Sequence, residues 1–396
     1  MKHSFSKTIA VALASATLVF ASCGKDDDTA ATTNAGNAVS VADAQAAAIA
    51  AQFVDHTVAP TYMALAAKAE QLASELAALK ANPDQNGFNQ ACSTVLAARE
   101  QWEKSEAFLF GAAGDFGVDP HIDSWPLDET AFANLMASPN MLASLNADDG
   151  DVVAGEQLGQ ALLGFHGIEY ILFAGGQPKN VSDITADQWI YVVAVAGDLR
   201  NRCYQLEVGW LGDDAPAAHI AKLDDIELQY TVASSAVSYG ENMKNAGNAG
   251  STYRTKLAAV MAIVQGSIDI ADEVGTSKIN AAYSGDDVTY IESPYSYMSY
   301  ADFINNIKSI ENVYYGGVEG QRDNSKSLHS LLGSANAALD AKVEAAISNA
   351  IAKIEAAKAV GPFALNYTNA ANGVAVEACA ALSDALSEIN EALRTL

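Results

Sequence analysis

Apolar residues recur at three- and four-residue steps along most of the chain, the period of an α-helix with one buried face. Between Ala42 and Lys80, the positions Val54, Val58, Tyr62, Leu65, Leu72, Leu76 and Leu79 predict one long helix. Asn82-Pro83-Asp84-Gln85-Asn86-Gly87 stops it. A second helix is expected from Phe88 to Phe110, ended by Gly111, and Ala112 to Pro126 reads as irregular. Leu127 to Asn146 predicts short helices broken at Pro139, and Val152 to Phe173 a helix ended by Gly175-Gly176. Asp183 is read as the cap of a helix reaching Trp210.

The second half repeats this order. Helices are expected over Ala217–Asn245, Ser251–Val274, Ala301–Tyr315, Lys326–Val360 and Ala364–Leu393, with a long loop over Gly275–Ser299. Only Val288–Ile291 has a strand-like run. The fold class is therefore all-α, and two helical-bundle domains are expected at 42–214 and 215–396. An internal echo points to duplication: Trp102 to Gly111 aligns with Ile307 to Gly316, each with a glutamate (Glu106, Glu311) four residues before an aromatic (Phe110, Tyr315).

Composition sharpens the picture. A chain of 396 residues exceeds one typical core, and only nine prolines leave room for long helices. The formal net charge of −26 repels nucleic acid and anionic lipid and excludes both as partners. Its first consequence is solubility.

Lys2, His3 and Lys7 precede an apolar run, Thr8–Ala21, too short for a stable membrane span. Phe20-Ala21-Ser22-Cys23-Gly24 resembles a bacterial lipobox. Residues 1–22 are thus expected to be a lipoprotein signal peptide and Cys23 the lipidation site. Residues 23–41 would form the lipidated N-terminus and a flexible tether. Asp26-Asp27-Asp28 resembles an export tag for the outer leaflet of the outer membrane. The expected location is the outer membrane, at the cell surface or otherwise facing the periplasm, with the lipid as the membrane contact. Cys92, Cys203 and Cys379 lack metal-type spacing and read as small buried hydrophobes.

The chemistry concentrates in Gly164-Phe165-His166-Gly167-Ile168-Glu169. His166 and Glu169 lie three apart and share a helix face. Their apolar neighbours imply burial, so both need partners: protein groups, a metal or a substrate. A metal site and a core histidine bonded to Glu169 or a carbonyl both fit. Gly164 and Gly167 cost helix stability and allow close approach of a backbone or ligand.

The preceding helix adds Arg99, Trp102, Glu103 and Glu106. Trp102 faces the core and flanks Glu106, which reads as partly buried; Glu103 reads as a solvated residue paired with Arg99. The following loop presents Asp123, pinned by Trp125 and Leu127, while Asp128 reads as a helix cap. In the second half, Ser293 and Ser296 are read as local capping residues. His329 is read as a surface or packing residue, because no acid stands at helical spacing. HExxH, GxSxG, the phosphate-binding Gly-rich loop and CxxC are all absent. A metal here would be held by carboxylates and one imidazole, in a mixed site suited to iron, zinc, manganese or copper.

The motif and its surroundings resemble the imelysin-like family, also known as insulin-cleaving metalloproteases, with its GxHxxE signature. The likeness runs over residues 45–395 and rests on Pro60-Thr61-Tyr62, Trp102 to Phe108, Ile122 to Leu127, Ile270 to Ile279, Ser293-Pro294 and Asn306 to Tyr315. It implies two related bundles with a site where they meet, in an exported protein tied to iron uptake. The implied metal ligands are His166, Glu169, Glu106, Glu103 and Asp123. Gly164, Arg99, Trp102, Trp125, Ser293 and Asn306 would line the pocket. The implied cargo or cofactor is a divalent or trivalent metal, iron or zinc first, free or as an iron chelate, with an envelope transport partner. The family name raises a metallopeptidase acting through His166 and Glu169, but no full three-ligand zinc site with a base is legible. A surface adhesion or structural module with a purely structural His–Glu pair is the third reading.

Overall fold

Proline inside a helix removes one N–H and crowds the carbonyl four residues earlier. Pro60 sits inside the first long helical run, and the chain absorbs it with one wide turn, Val54–Val58, between helix α1 (Val41–Phe53) and helix α2 (Ala59–Ala81). The carbonyl of His56, deprived of its usual donor, accepts the Val318 N–H at 2.8 Å. The computed structural model describes residues 41–394, so the signal peptide, Cys23 and the tether lie outside the described residues.

The chain is all-α. Helix α3 (Gln85–Glu103) starts at Asp84, whose side chain accepts the Gly87 N–H. Helix α4 (Gly164–Leu172) carries the HxxE pair. Helix α5 (Ala186–Leu211) is capped by a reciprocal Thr185–Gln188 box, so Thr185 takes the role the sequence reading gave Asp183. Asp128 does cap its helix, accepting the Ala131 N–H at 2.8 Å. Helix α6 (Lys256–Glu273) continues through a second wide turn, Val274–Ile279. Helices α7 (Ser299–Tyr314), α8 (Ala337–Lys358) and α9 (Ala370–Leu393) complete the long elements. Among the described residues the one β-ladder pairs Phe173–Ala174 with Gln177–Pro178; Val288–Ile291 is loop.

Helix α2 packs between α3 and α5, α9 packs on α6 and α8, and α3 runs along α7. Helix α1 packs on α6. One contiguous apolar core links these contacts and takes in Cys92, Cys203 and Cys379, all free thiols.

Several expected helices are interrupted. Lys326–Val360 divides at Asn336, and Ala364–Leu393 at residues 367–369. Two other breaks serve packing. Val152–Phe173 divides into Gly150–Gln157 and α4. At the break, Gly164 has φ +67°, and a Cβ there would lie 2.0 Å from the Ile122 carbonyl oxygen. Close approach of the 119–123 segment therefore fixes where α4 begins. Phe88–Phe110 ends as a helix at Glu103, and a tight turn, Glu106–Phe108, docks on α6 where Gly266 leaves room for the Ala107 carbonyl. Ala217–Asn245 keeps only Ala217–Asp225 and Tyr239–Lys244 as helix.

Candidate metal centre

Helix α3 supplies Arg99, Trp102 and Glu103, and the turn after it Glu106. The loop after Asp119–Ile122 brings Asp123 and Trp125, and α4 brings His166 and Glu169. From the second half come Lys278 on the wide turn, Glu292 and Ser293 on the loop before α7, and Asp302 and Asn306 on α7. All ten ionisable and amide groups of this set are buried: Arg99, Glu103, Glu106, Asp123, His166, Glu169, Lys278, Glu292, Asp302 and Asn306.

Arg99 is the hub. Its Nη1 reaches Asp123 at 2.5 Å, its Nη2 reaches Glu292 at 2.6 Å and Glu103 at 2.8 Å, and its Nε reaches Asp302 at 3.0 Å. Lys278 Nζ lies 3.2 Å from Glu292, 3.8 Å from Glu103 and 3.9 Å from Glu106, over the Trp125 ring. Trp102 Nε1 donates to Asp123 at 2.9 Å, Ser293 Oγ to Asp302 at 2.6 Å, and Asn306 Nδ2 to Glu103 at 2.6 Å.

His166 Nε2 stands 3.0 Å from Asp123 Oδ1, but off the line needed for a hydrogen bond. Its Nδ1 lies 3.3 Å from Glu169 Oε2. The other Glu169 oxygen accepts the backbone N–H groups of Tyr295 at 3.1 Å and Ser296 at 2.6 Å.

Ligand-type atoms converge in three overlapping triads: Asp123–His166–Glu292, Glu103–Glu106–Asp123 and Glu103–Glu292–Asp302. Three buried ligand-type atoms of these triads lack a hydrogen bond: His166 Nε2, Glu103 Oε1 and Glu292 Oε2. Asp123 stands 3.0 Å from the first and Arg99 2.8 Å from the second, while Arg99 and Lys278 approach Glu292 through its other oxygen. Six buried carboxylates (Glu103, Glu106, Asp123, Glu169, Glu292, Asp302) meet two permanent cations and one imidazole. Unpaired charge in such a place is costly, and a metal cation is one way to relieve it. The residues present fit a metal.

The site's protonation follows from burial and neighbours. Burial, reinforced by the facing Glu292, raises Glu103 to about 8 against the pull of Arg99 and Lys278. Burial raises Glu292 to about 7 and Asp302 to about 7, and holds Glu106 well above the usual carboxylate range. Asp123 and Glu169 move the other way: although burial opposes it, Arg99 and His166 hold Asp123 down, and His166 and the Ser296 N–H hold Glu169 down. Burial and Arg99 depress His166, but Asp123 and Glu169 outweigh them and raise it to about 9.

The sign of the linkage is then fixed. Glu103, Glu292 and Asp302 keep protons in the folded chain that the unfolded chain has released, so their effect on stability worsens as pH rises through 7 and 8. The stability from His166 is full below its ordinary 6.5 and is lost as pH climbs through about 9. The depressed Asp123 and Glu169 are ionised throughout this window and add no slope. The thermal midpoint of chelator-treated protein is expected to fall steadily from pH 6 to pH 9. A flat or rising midpoint would contradict this charge assignment.

Most residues singled out from sequence share this site: His166, Glu169, Glu106, Glu103, Asp123, Arg99, Trp102, Trp125, Ser293 and Asn306. Gly164 shapes the start of α4. Glu103, expected to be solvated, is fully buried, because α7 covers that face of α3. Lys278, Glu292 and Asp302 were missed as functional residues. Only the resemblance touched Lys278, and no spacing rule links it or the two acids to Arg99, from which they are more than 170 positions distant. His329 is partly exposed and packs on Tyr314 and Tyr315, as a surface or packing residue would, while α8 brings it two acids from outside its own helix: its Nδ1 lies 2.9 Å from Asp340 and 3.6 Å from Glu344.

The fold and this buried acid–imidazole site define the class. The Imelysin family profile matches residues 58–389, and the chain belongs to that family. It is 30% identical over 265 residues to the iron-regulated protein A of Synechococcus elongatus, a match covering 67% of this chain and 63% of that relative. The chain thus spans less than two thirds of that relative's length. A solved structure of a candidate iron-regulated protein A precursor from Parabacteroides distasonis superposes with a TM-score of 0.74 at 29% identity, covering 89% of this chain and 95% of that one. An Imelysin-like protein from Psychrobacter arcticum shares the fold at 12% identity, with a TM-score of 0.57 over 90% of this chain and 95% of that one.

Proposed function

We propose that this protein binds a metal ion, iron first among the candidates, as an envelope lipoprotein serving iron uptake. The observation that carries the reading is the convergence of His166 Nε2, Asp123 and Glu292, with Glu103 and Glu106 beside them, in a site with buried oxygen and nitrogen atoms left without hydrogen bonds. An imidazole and hard carboxylates suit iron, zinc or manganese. A bound cation would take the place of the protons that burial otherwise keeps on Glu103, Glu292 and Asp302. Glu169 would fix the imidazole through Nδ1, as second-layer carboxylates do for metal-bound histidines. The relatives' names contribute the iron, and the lipobox-like Cys23 contributes the anchor. No described helix is long and apolar enough to cross a membrane.

Binding is preferred to hydrolysis on geometric grounds. A peptide bond must reach the metal, yet His166 is 1% exposed and Glu103 and Glu292 are 0% exposed. A cleft of about 350 Å³ lined by Arg99, Glu100, Met298 and Asp302 touches the Arg99–Asp302 side of the cluster, but His166, Glu103 and Glu292 do not line it. The test is elemental analysis of protein purified without chelating resin, then calorimetric titration of stripped protein with Fe²⁺, Zn²⁺ and Mn²⁺. Stoichiometric binding of at least one ion is expected. Absence of bound metal together with flat titrations would reject the reading.

A further inference from the structure

Both oxygens of Glu169 are engaged, and neither in the way a plain ligand requires. One faces His166 Nδ1, and the other gathers the adjacent amides of Tyr295 and Ser296. Those amides belong to residues 285–298, a stretch without helix or strand between Asn280–Ser284 and α7. Loops of this length inside a packed domain are uncommon and are usually lids or binding loops.

The stretch is built as a cover. Glu292, Ser293 and Ser296 point inward and are buried, while residues 284–289 are exposed and Tyr295 and Tyr297 are half-buried. Ser293 and Tyr297 hold positive φ, 49° and 63°, which non-glycine residues adopt at a cost. Contacts to the first half of the chain hold it there. Gly176 N–H donates to the Tyr295 carbonyl at 2.9 Å, and the Tyr297 ring lies so close to Gly176 that a Cβ would meet it at 2.4 Å. Tyr290 packs on Trp125 with ring centroids 5.1 Å apart. The same stretch carries Glu292, so its position sets whether that carboxylate faces the imidazole.

We infer that Glu169 is a positioning residue that latches residues 290–298 over the site, and that release of this strap is how a cation enters and leaves. The second half of the inference rests on the metal-binding reading; the first does not. One carboxylate then couples two tasks: it orients the imidazole, and it holds the segment that brings Glu292 opposite. Opening the strap removes a ligand and uncovers the site in one movement.

Hydrogen exchange followed by mass spectrometry on metal-free protein tests the latch directly. Glu169→Ala is expected to raise exchange in peptides spanning 290–298 at least tenfold, with α8 and α9 unchanged. Glu169→Gln retains a carbonyl acceptor for the two amides and should restore most of the protection. His166→Ala leaves the latch intact and should leave the segment protected, which guards against a general loosening. Equal protection of 290–298 in wild type and Glu169→Ala would overturn the latch. Stopped-flow with Zn²⁺ as probe and a competing chelator tests the gate. Glu169→Ala should speed association about tenfold, and dissociation by at least as much, because the imidazole also loses the carboxylate that orients it. Faster dissociation alone, with affinity lost in proportion and no change in exchange, would make Glu169 a ligand and overturn the inference. If Zn²⁺, Fe²⁺ and Mn²⁺ all fail to bind wild type, the metal reading falls and the exchange experiment still decides the latch.

Discussion

Replacing Arg99 with methionine is expected to destabilise the protein by about 3–5 kcal/mol at pH 8, the usual result of removing one partner from a buried ion-pair network. Four carboxylates, Glu103, Asp123, Glu292 and Asp302, lose their shared counter-charge at once. All four are buried, so solvent compensates poorly for the lost guanidinium. The acids can recover only by taking up protons, and the loss should therefore shrink at pH 5.5. Urea unfolding at the two pH values measures this. Arg200→Met is the control: that guanidinium is a quarter exposed and pairs with Asp151 at 2.7 Å, so a loss below about 1 kcal/mol is expected. A loss below that level for Arg99→Met would mean that the acids are already neutralised by other means.

The second large effect concerns binding. His166→Ala removes the one imidazole of the site, and affinity for Fe²⁺ or Zn²⁺ is expected to drop at least 100-fold, about 2.7 kcal/mol. Glu292→Gln should follow with a smaller loss, since it keeps the shape of the side chain. Calorimetric titration gives both values, and thermal melts with and without metal separate the competing readings. Under metal binding, a saturating ion raises the wild-type midpoint and leaves that of His166→Ala where it was. Under a purely structural His–Glu pair, the ion moves neither midpoint, and His166→Ala is merely less stable. A metallopeptidase would in addition cleave unfolded peptides in a chelator-sensitive way, and lose that activity with His166.

The pH slope and the binding losses share one origin. A carboxylate that keeps its proton at neutral pH must release it to hold a cation, so metal binding should expel protons and weaken as the medium is acidified. Arg99 and Lys278 hold part of the acid cluster ionised beforehand, which lowers that proton cost.

The sequence by itself determined the helical class, most helix termini, the burial of the three cysteines and the HxxE pair. These are local properties: a 3.6-residue period, a capping side chain and a proline each act over a single turn. That Asp123, Glu106 and Arg99 share a site with His166 was implied only by the resemblance to the imelysin-like family, because no spacing rule links residues 43 to 67 positions apart. Tertiary structure alone decided the rest. Glu103 is buried because α7, some 200 residues further on, lies over it, and no pattern on α3 records that neighbour. Lys278, Glu292 and Asp302 join the site for the same reason. Each lies on a segment whose own pattern is satisfied without the others, and only the packing of α3 on α7 gives their charges a common address. Glu169 is the clearest case. Its spacing from His166 is written in the motif, but its second task, holding the Tyr295 and Ser296 amides, depends on backbone groups that carry no residue identity at all.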